Sequence, residues 1–278
     1  MPKPHIPFFL FCLCALAPAS AWATSVTLPT VADTFVTSAD PSNNYGAAGA
    51  MEISAPGSSA GELQTLLMFN LSSAVTTFNA TYGAGNWSID SITLQLGTNF
   101  GTQGQTVNNP IFNNINAGLF KIDLLANNNW AEGTGTPMSN TVPSNPPVNG
   151  ATFGSLGLLE SGSDVTLTNA STLGSTFTYT PVGATNPPTV PAALYNIGLN
   201  SNLVSDITSG GLASFRMYAG DTGVSYLFNA KEFPTTANHP ELIIDAVPTP
   251  EPATASLFIF GALVGVALRR PRRSAQAV

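Results

Sequence analysis

The sequence predicts an all-β fold, a jelly-roll-like β-sandwich, flanked by an N-terminal signal peptide and a single C-terminal transmembrane helix. Two observations predict it: short strand-like runs separated by turn residues fill the middle of the chain, and a long apolar run stands near each end. The chain therefore divides into a signal peptide (1–23), one globular domain (24–247) and a C-terminal segment (248–278).

The first 23 residues follow the order of a secretory signal peptide. Lys3 precedes the apolar run Ile6–Leu16, and small residues end at Ala21-Trp22-Ala23. This order predicts cleavage after Ala23, and the run is too short to span a bilayer, which takes about 20 residues. Both cysteines of the chain lie in this leader. The exported domain therefore has no disulfide and depends on its hydrophobic core alone.

The domain is acidic and poor in charge. Residues 24–250 contain 14 acidic residues and three basic ones, Lys121, Arg216 and Lys231, so their net charge is −11. Such a surface repels nucleic acid and anionic membranes, which bind clustered Lys and Arg. A hydrophobic content of 44% and the patterned runs argue against disorder.

Eleven short runs have the composition of strands. Alternation with period two places one face of a strand in the core, as for Ile92, Leu94 and Leu96. Leu66–Phe69 is apolar on both faces, which predicts a central strand covered on each side. The predicted strands are Ser25–Leu28, Thr34–Thr37, Met51–Ala55, Leu63–Asn70, Ser88–Leu96, Gly118–Leu125, Ser175–Thr180, Leu194–Leu199, Ala213–Ala219, Val224–Ala230 and Glu241–Ala246.

Few residues outside these strands have a predicted structure. Within residues 24–250 the only predicted helix is a short one over Asn200–Ser209, ended by Gly210-Gly211. Segments 133–150 and 182–191 are rich in Pro, Asn, Gly and Thr and are predicted to be long surface loops. Pro248-Thr249-Pro250 is predicted to be a stiff, extended linker that leaves the domain.

Candidate catalytic residues are few, and the sequence predicts no enzyme. The domain has no cysteine and one histidine, His239, so thiolate sites and sites needing several imidazoles are excluded within one chain. No G-x-S-x-G elbow accompanies that histidine. A paired-carboxylate glycosidase needs only two acids, and Glu132 and Glu232 are the candidates for it. The favoured interpretation makes Glu132 a turn residue and Glu232 an ion-pair partner of Lys231.

Three aromatic residues at predicted loop edges, Tyr45, Trp87 and Trp130, are candidate glycan-binding residues because an exposed ring can stack on a sugar. Aromatic residues of a β-sandwich are more often core. Loops Asp40–Asn44 and Gly220–Gly223 offer oxygen ligands of the kind that hold structural Ca²⁺, but neither matches an EF-hand. The sequence therefore predicts no cofactor and no metal site, and structural calcium stays an open alternative.

Six segments, taken in order, resemble the DNRLRE domain, a secreted bacterial β-sandwich related to carbohydrate-binding modules. The resemblance spans about Ala32 to Ala246 and implies the same fold and a polysaccharide ligand. The segments are Ala32–Val36, Asn44-Tyr45-Gly46 with Met51–Ile53, Leu66–Ser73, Ser91–Leu96, Trp130–Gly133, and Phe228–Glu232 followed by His239–Ile244.

The chain departs from that family's pattern at three places. Asn70 replaces the usual aspartate, Gln64-Thr65 stands where a basic residue usually precedes the strand, and His239 takes a place that is often arginine. If those charges belong to the family's ligand site, binding here differs or is absent. Asn70 keeps an acceptor for a turn N–H but has no charge.

The C-terminal segment combines a motif, an apolar run and a basic cluster. Pro250-Glu251-Pro252 precedes Ala253–Leu268, 16 residues without a charge that span about 24 Å as a helix. Arginines follow and stay cytoplasmic by the positive-inside rule; they are Arg269, Arg270, Arg272 and Arg273. This tripartite order resembles the PEP-CTERM sorting signal. The resemblance implies that exosortase, a membrane-embedded protease-transpeptidase, recognises the Pro-Glu-Pro motif, and that the arginines stop transfer. The alternative is a plain membrane anchor.

Together these patterns predict an exported protein of the cell surface or the extracellular polysaccharide matrix, first anchored as a membrane precursor. The favoured hypothesis is a non-catalytic glycan-binding or matrix-associated β-sandwich. A purely structural or adhesion protein of the matrix and a polysaccharide-degrading enzyme are the alternatives.

Overall fold

A computed structural model describes eight stretches of the chain. They are residues 22–58, 61–97, 119–125, 127–135, 150–156, 177–178, 193–234 and 239–249. The predictions for 1–21, for most of the loops 133–150 and 182–191, and for the segment from Pro250 onward lie outside these residues. No helix in the described stretches has both the length and the apolar character needed to cross a membrane.

The described residues are mostly antiparallel β-sheet with two helices. The strands are β1 (Thr24–Thr37), β2 (Ala50–Ser54), β3 (Leu63–Asn70), β4 (Trp87–Leu96), β5 (Leu119–Leu125), β6 (Phe177–Thr178), β7 (Ala193–Asn196), β8 (Leu212–Ala219), β9 (Ser225–Asn229) and β10 (Glu241–Pro248). The helices are α1 (Ser72–Tyr82) and α2 (Ser201–Ser209). Each of these strands has a counterpart among the predicted runs, which confirms the all-β class.

Strand β1 joins the two halves of the sheet. Its first half pairs with β10, from Thr24 opposite Ala246 to Pro29 opposite Glu241, and its second half pairs with β3. The order is β6-β5-β8-β3-β1-β10-β4-β7, with β2 bonded to β3 and to β9. The register shifts between Thr30 and Ala32, so the strand bulges at the point where it changes partners.

The sheet curls until its two halves share one hydrophobic core. Phe120 of β5 and Tyr195 of β7, from strands far apart in the sheet order, meet edge to face with ring centroids 5.2 Å apart. The alternation predicted from the sequence is confirmed, since Ile92, Leu94 and Leu96 are all fully buried in this core. Burial on both faces is also confirmed for β3, whose residues from Leu63 to Phe69 are all buried.

Two predicted strands, Ser25–Leu28 and Thr34–Thr37, form one. Between them lies Pro29, a residue that ends strands in most contexts, and the sequence therefore predicts a separate run on either side of it. Proline lacks an N–H, but it is tolerated in a strand where no ladder bond from that group is needed. Pro29 lies where β1 leaves β10, and Thr30 then donates through both its N–H and its hydroxyl to Pro240 O.

The prediction that only one short helix exists was wrong, because α1 follows β3 directly. Its sequence contains four Thr or Ser residues after its first residue and only two fully buried side chains, Ala74 and Phe78. One i, i+4 pair is a weak helical pattern, and β-branched Thr favours strands. Three threonine hydroxyls instead bond to carbonyls four residues back in the helix.

Helix α2 confirms the prediction over Asn200–Ser209. The Asn200 side chain accepts hydrogen bonds from Asn202 N and Leu203 N and caps the first turn. Gly210 ends the helix at φ +71°, a left-handed conformation that favours glycine. Leu203 and Ile207 are buried in the core.

Several predicted boundaries differ by one or two residues, and two of the differences change the structure assigned to a segment. The strand Leu194–Leu199 ends at Asn196, whose side chain accepts from Gly198 N in a turn. Pro248 is the last residue of β10, opposite Trp87, and is not part of a linker. A proline at a strand end is tolerated because its missing N–H ends the ladder.

Core burial gives a first prediction. Replacing Leu67, which is 0% exposed, by alanine should cost about 2–5 kcal/mol of unfolding free energy, because the cavity it leaves cannot fully collapse. Leu194→Ala, at a side chain 61% exposed, is the matched control and should change stability by less than about 0.5 kcal/mol. Urea denaturation of the two variants measures both. Equal effects would contradict the burial of Leu67 in the hydrophobic core.

Candidate functional site

Three segments bring charged side chains together at one place. Asp33 belongs to β1, Glu132 to the segment 127–135, and Lys231 with Glu232 to the turn after β9. Carboxylate oxygens of the three acids lie within 4.8 Å of one another. These four residues are called the Lys231 cluster below.

Lys231 provides the positive charge of the cluster. Its Nζ lies 2.6 Å from a Glu132 carboxylate oxygen and also forms an ion pair with Glu232. The ion pair predicted between Lys231 and Glu232 is therefore confirmed. Burial lowers the pKa of Lys231, but hydrogen bonds to Glu132 and then to Glu232 outweigh it, so the pKa lies above its usual value. The lysine stays charged at neutral pH.

Asp33 is the buried member of the cluster, with 1% of its surface exposed. Its backbone N–H donates to Glu132 Oε1 at 2.9 Å, and its Oδ2 accepts from Lys231 N at 2.8 Å. Burial raises the pKa of Asp33 to about 8. The backbone hydrogen bond from Lys231 opposes that rise, and the charges of Glu232 and Glu132 add to it. Asp33 is therefore mostly protonated at neutral pH.

A buried asparagine fixes the segment that carries Glu132. Asn44 Nδ2 donates to Glu132 O (2.6 Å) and Ala151 O (2.9 Å), and its Oδ1 accepts from Gly46 N and Gly135 N. Both hydrogens of the amide group and its oxygen are used, which offsets the cost of burying it. The N-Y-G turn and the W-x-E-G turn singled out in the sequence are therefore in direct contact.

Glycines are required where these turns meet. A Cβ atom built on Gly133, Gly135 or Gly150 would lie 2.1, 1.8 and 2.3 Å from an Asn44 atom, and one on Gly46 would lie 2.0 Å from Glu132 O. Real Cβ contacts are never this short, so any side chain would push the turns apart. The sequence shows both motifs, W-A-E-G at 130–133 and N-Y-G at 44–46, but it does not show that they contact each other.

The three candidate glycan-binding aromatics lie at separate places. Tyr45 is buried and stacks on Phe35 with ring centroids 4.4 Å apart. Trp87 is buried in the main core, and its Nε1 donates to Asn79 Oδ1 at 2.8 Å. Trp130 is partly buried against a second, smaller group of buried residues, and its Nε1 donates to Ser214 Oγ at 3.0 Å. That group consists of Val36, Leu66, Leu125, Ala151 and Leu156. Stacking on a sugar needs an open ring face, and of the three only Trp130 is incompletely buried.

The departures from the family pattern have structural roles. Asn70 Oδ1 accepts from Ser72 N at 3.0 Å, which confirms the predicted acceptor for a turn N–H at the start of α1. Gln64 is buried and accepts from Arg216 Nε at 2.6 Å, so a positive charge reaches this place from the neighbouring strand β8. His239 Nε2 lies 2.6 Å from Phe233 O.

The cluster has oxygen donors that suit a hard metal cation, but an ammonium already occupies them. Ca²⁺ takes six to eight oxygen ligands, and the cluster offers three carboxylates, two of which hold the Lys231 ammonium. Within the described stretches, the loops Asp40–Asn44 and Gly220–Gly223 bring no such group of three acids together. In the latter, the Asp221 carboxylate accepts from Leu119 N at 2.7 Å.

The same contacts limit catalysis by the two glutamates. A glycosidase needs one protonated carboxyl and one carboxylate placed on either side of a sugar bond. Glu132 and Glu232 instead bind the same ammonium, and the neighbouring protonated acid, Asp33, is buried. The arrangement is that of an ion-paired junction between three chain segments.

No protein-family model matches the chain, and the search of curated proteins finds no match either.

The raised pKa of Asp33 predicts a pH-dependent stability. Because the folded protein holds this proton between the unfolded pKa of 3.8 and the folded pKa of about 8, stability should fall as pH rises through that range. The loss is at most about 1.4 kcal/mol per pH unit for one group. Asp33→Asn, which keeps the acceptor for Lys231 N, should reduce the slope. Urea titrations at pH 5 and pH 8 measure it.

A second buried acid, Glu52, determines how much pH dependence of stability remains in the Asp33→Asn variant. Burial also raises the pKa of Glu52, to about 7, so the variant should keep a weaker slope of the same sign. A slope identical in wild type and Asp33→Asn, or a stability that rises from pH 5 to pH 8, would contradict the assignment of the buried proton to Asp33.

The glycine contacts predict a local cost. Gly135→Ala should destabilise the protein by about 1–3 kcal/mol, because the new Cβ overlaps Asn44 O and the turns must shift. Gly49→Ala is the control, since its Cβ would meet nothing closer than 4.0 Å. Thermal unfolding of both variants tests this. An unaffected Gly135→Ala would show that the contact between the two turns is not formed in solution.

Proposed function

We propose that this chain is an exported, non-catalytic β-sandwich of jelly-roll type that acts at the cell surface or in the extracellular polysaccharide matrix. The observation that carries the proposal is where the folded domain starts and stops. Strand β1 begins at Thr24, directly after the cleavage site predicted behind Ala23. Strand β10 ends at Pro248, two residues before Pro250-Glu251-Pro252. The strands from β1 to β10 therefore begin directly after one predicted processing signal and end two residues before the other.

Contacts between the sequence motifs support membership of the DNRLRE family. Asp33, Asn44, Glu132 and Lys231 come from four of the six segments on which that resemblance rests, and they bond to one another. Motifs that are far apart in sequence and meet in space have a shared structural reason to occur together. The curled antiparallel sheet agrees with the sandwich expected from the resemblance.

A non-catalytic role is supported by the state of the two candidate acids. Glu132 and Glu232 are both held by Lys231, and Glu132 also accepts from Asp33 N. A group that has this many internal partners must break them before it can attack or protonate a substrate. The degrading enzyme is therefore the least favoured of the three hypotheses.

The exposure of the three aromatic side chains bears on the choice between glycan binding and a purely structural role in the matrix. Trp130, which is partly exposed, is the candidate that supports glycan binding. The burial of Tyr45 and Trp87 favours the second candidate function, a structural or adhesion protein whose aromatics only pack. Both candidates share the same export and location.

In this proposal the C-terminal segment is a substrate of exosortase. Pro250-Glu251-Pro252 is the recognition element, the apolar run Ala253–Leu268, predicted from the sequence to be helical, holds it at the membrane, and the arginines Arg269, Arg270, Arg272 and Arg273 stop transfer. The protein is thus a membrane-anchored precursor that is released or transferred to the surface when this segment is processed.

Mass spectrometry of the C-terminus tests the sorting proposal. In a host with exosortase, the mature wild type should lack the residues after about Pro252, and Glu251→Gln should keep a C-terminus at Val278. Glu241→Gln is the control, because residue 241 lies in β10, where a Gln can keep the contact with Gln95 Nε2. It should be processed like the wild type. A wild-type protein that still ends at Val278 in that host would refute the proposal.

A further inference from the structure

Both predicted membrane-associated segments attach to the same end of the domain. Thr24, the first residue of β1, lies opposite Ala246 near the end of β10. The hydroxyl of Tyr82, the last residue of α1, lies 2.8 Å from Thr24 Oγ1 and 3.0 Å from Ala246 O. The tyrosine therefore fastens the first strand to the last strand where the leader and the tail leave the fold.

The C-terminal segment is bound to the domain almost up to the point where the predicted transmembrane helix begins. Thr249 N donates to Asn86 O at 2.9 Å, so the chain is still bound to the loop before β4 one residue before the Pro-Glu-Pro motif. The predicted transmembrane helix begins at Ala253. Four residue steps span at most about 14 Å when fully extended. A domain tethered this closely cannot turn its far end toward the bilayer.

The segments that form this end are poor in charge; the nearest acids in the flanking strands are Asp90, which is exposed, and Asp245, whose carboxylate accepts from Ser91 Oγ. Residues 70–89 contain no acidic or basic residue, and neither do 22–32 and 246–250, although the domain as a whole has a net charge of −11. The threonines of α1 donate their hydroxyls to the helix's own carbonyls, Thr76 to Ser72 O and Thr81 to Thr77 O. The loop and the strand ends themselves therefore bring no ionised side chain to the membrane, and the exposed acid nearest to them is Asp90.

We propose that the end formed by the loop Tyr82–Trp87, the start of β1 and the end of β10 is the surface that faces the lipid bilayer while the C-terminal helix is attached. This surface is called the α1 end. The far end of β1, at Thr37–Asp40, points away from the membrane. The proposal rests on the proposed function, because it needs the tail to anchor the chain.

The far end lies well outside the reach of the tether. Thr24 and Thr37 are 13 residue steps apart in one strand, roughly 40 Å of strand contour at about 3.3 Å per residue. Ala84, in the loop of the α1 end, and Ala39, two residues beyond the end of β1, are both exposed alanines. They form a matched pair of probe sites at opposite ends.

Fluorescence quenching tests the orientation. The chain from Thr24 to Val278 has no cysteine, so Ala84→Cys and Ala39→Cys each accept one thiol-reactive fluorophore. Each labelled protein is reconstituted into phosphatidylcholine vesicles that contain a spin-labelled headgroup lipid. The probe at position 84 should be quenched at least roughly threefold more than the probe at position 39, because residue 39 follows the end of β1 that is opposite to the tether and contact quenching needs the probe to touch the headgroups.

The outcomes distinguish a failure of the orientation from a failure of the proposed function. If the protein floats with the vesicles but the two probes are quenched equally, or the probe at position 39 more strongly, the orientation is wrong and the anchoring stands. If neither variant floats, the tail does not anchor the chain, and the membrane-precursor part of the proposed function fails together with the orientation. A membrane-impermeant soluble quencher should reach both probes equally in vesicle-free detergent, which controls for differences in local exposure.

Discussion

The double pairing of β1 holds the two halves of this sheet in one body. One strand bonds to β10 over its first six residues and to β3 over its last eight, with a bulge between. The bulge lets the strand change direction without ending, so no loop is needed and the sheet can curl over the main core that its two halves share. Three other features are placed by β1. Tyr82 bonds to its first residue, Asp33 lies in its second half, and the turn at Asn44 follows its end.

The Lys231 cluster illustrates how a charged group can be structural in such a domain. A carboxyl as buried as Asp33 would be costly if ionised, and the protein instead keeps its proton and surrounds it with bonds to Glu132 and Lys231. The ammonium of Lys231 joins two of the chain's widely separated segments through Glu132. The domain has only three basic residues among its 224, and Lys231 is the one that pairs with acids of this junction.

Most of the strands and one of the helices could be predicted from the sequence, because period-two alternation and turn residues are local signals. The helix α1 could not, since its threonines satisfy their hydroxyls within the helix and only Ala74 and Phe78 are fully buried. The continuity of β1 could not be predicted either, because it passes through Pro29, a residue that usually ends strands.

The candidate site shows a similar limit. Glu132, Lys231 and Glu232 were singled out from sequence, but Asp33 was not considered as an acid of the site, because its approach to them depends on the tertiary fold. Tyr45 and Trp87 lie at loop edges, as the sequence predicts, and both rings are buried; the sequence alone leaves burial and glycan binding open for them, because it gives a ring's identity and not which face is covered.

Native-state hydrogen exchange of the mature protein tests the role of β1 most directly. Amides of Val26 and Leu28, which lie in the β10 pairing, and of Thr34 and Val36, which lie in the β3 pairing, should exchange with the same free energy, equal to that of global unfolding. That result means that the two halves of the sheet open only together. If the two groups of amides differ by more than about 2 kcal/mol, the halves unfold separately and β1 does not unite them.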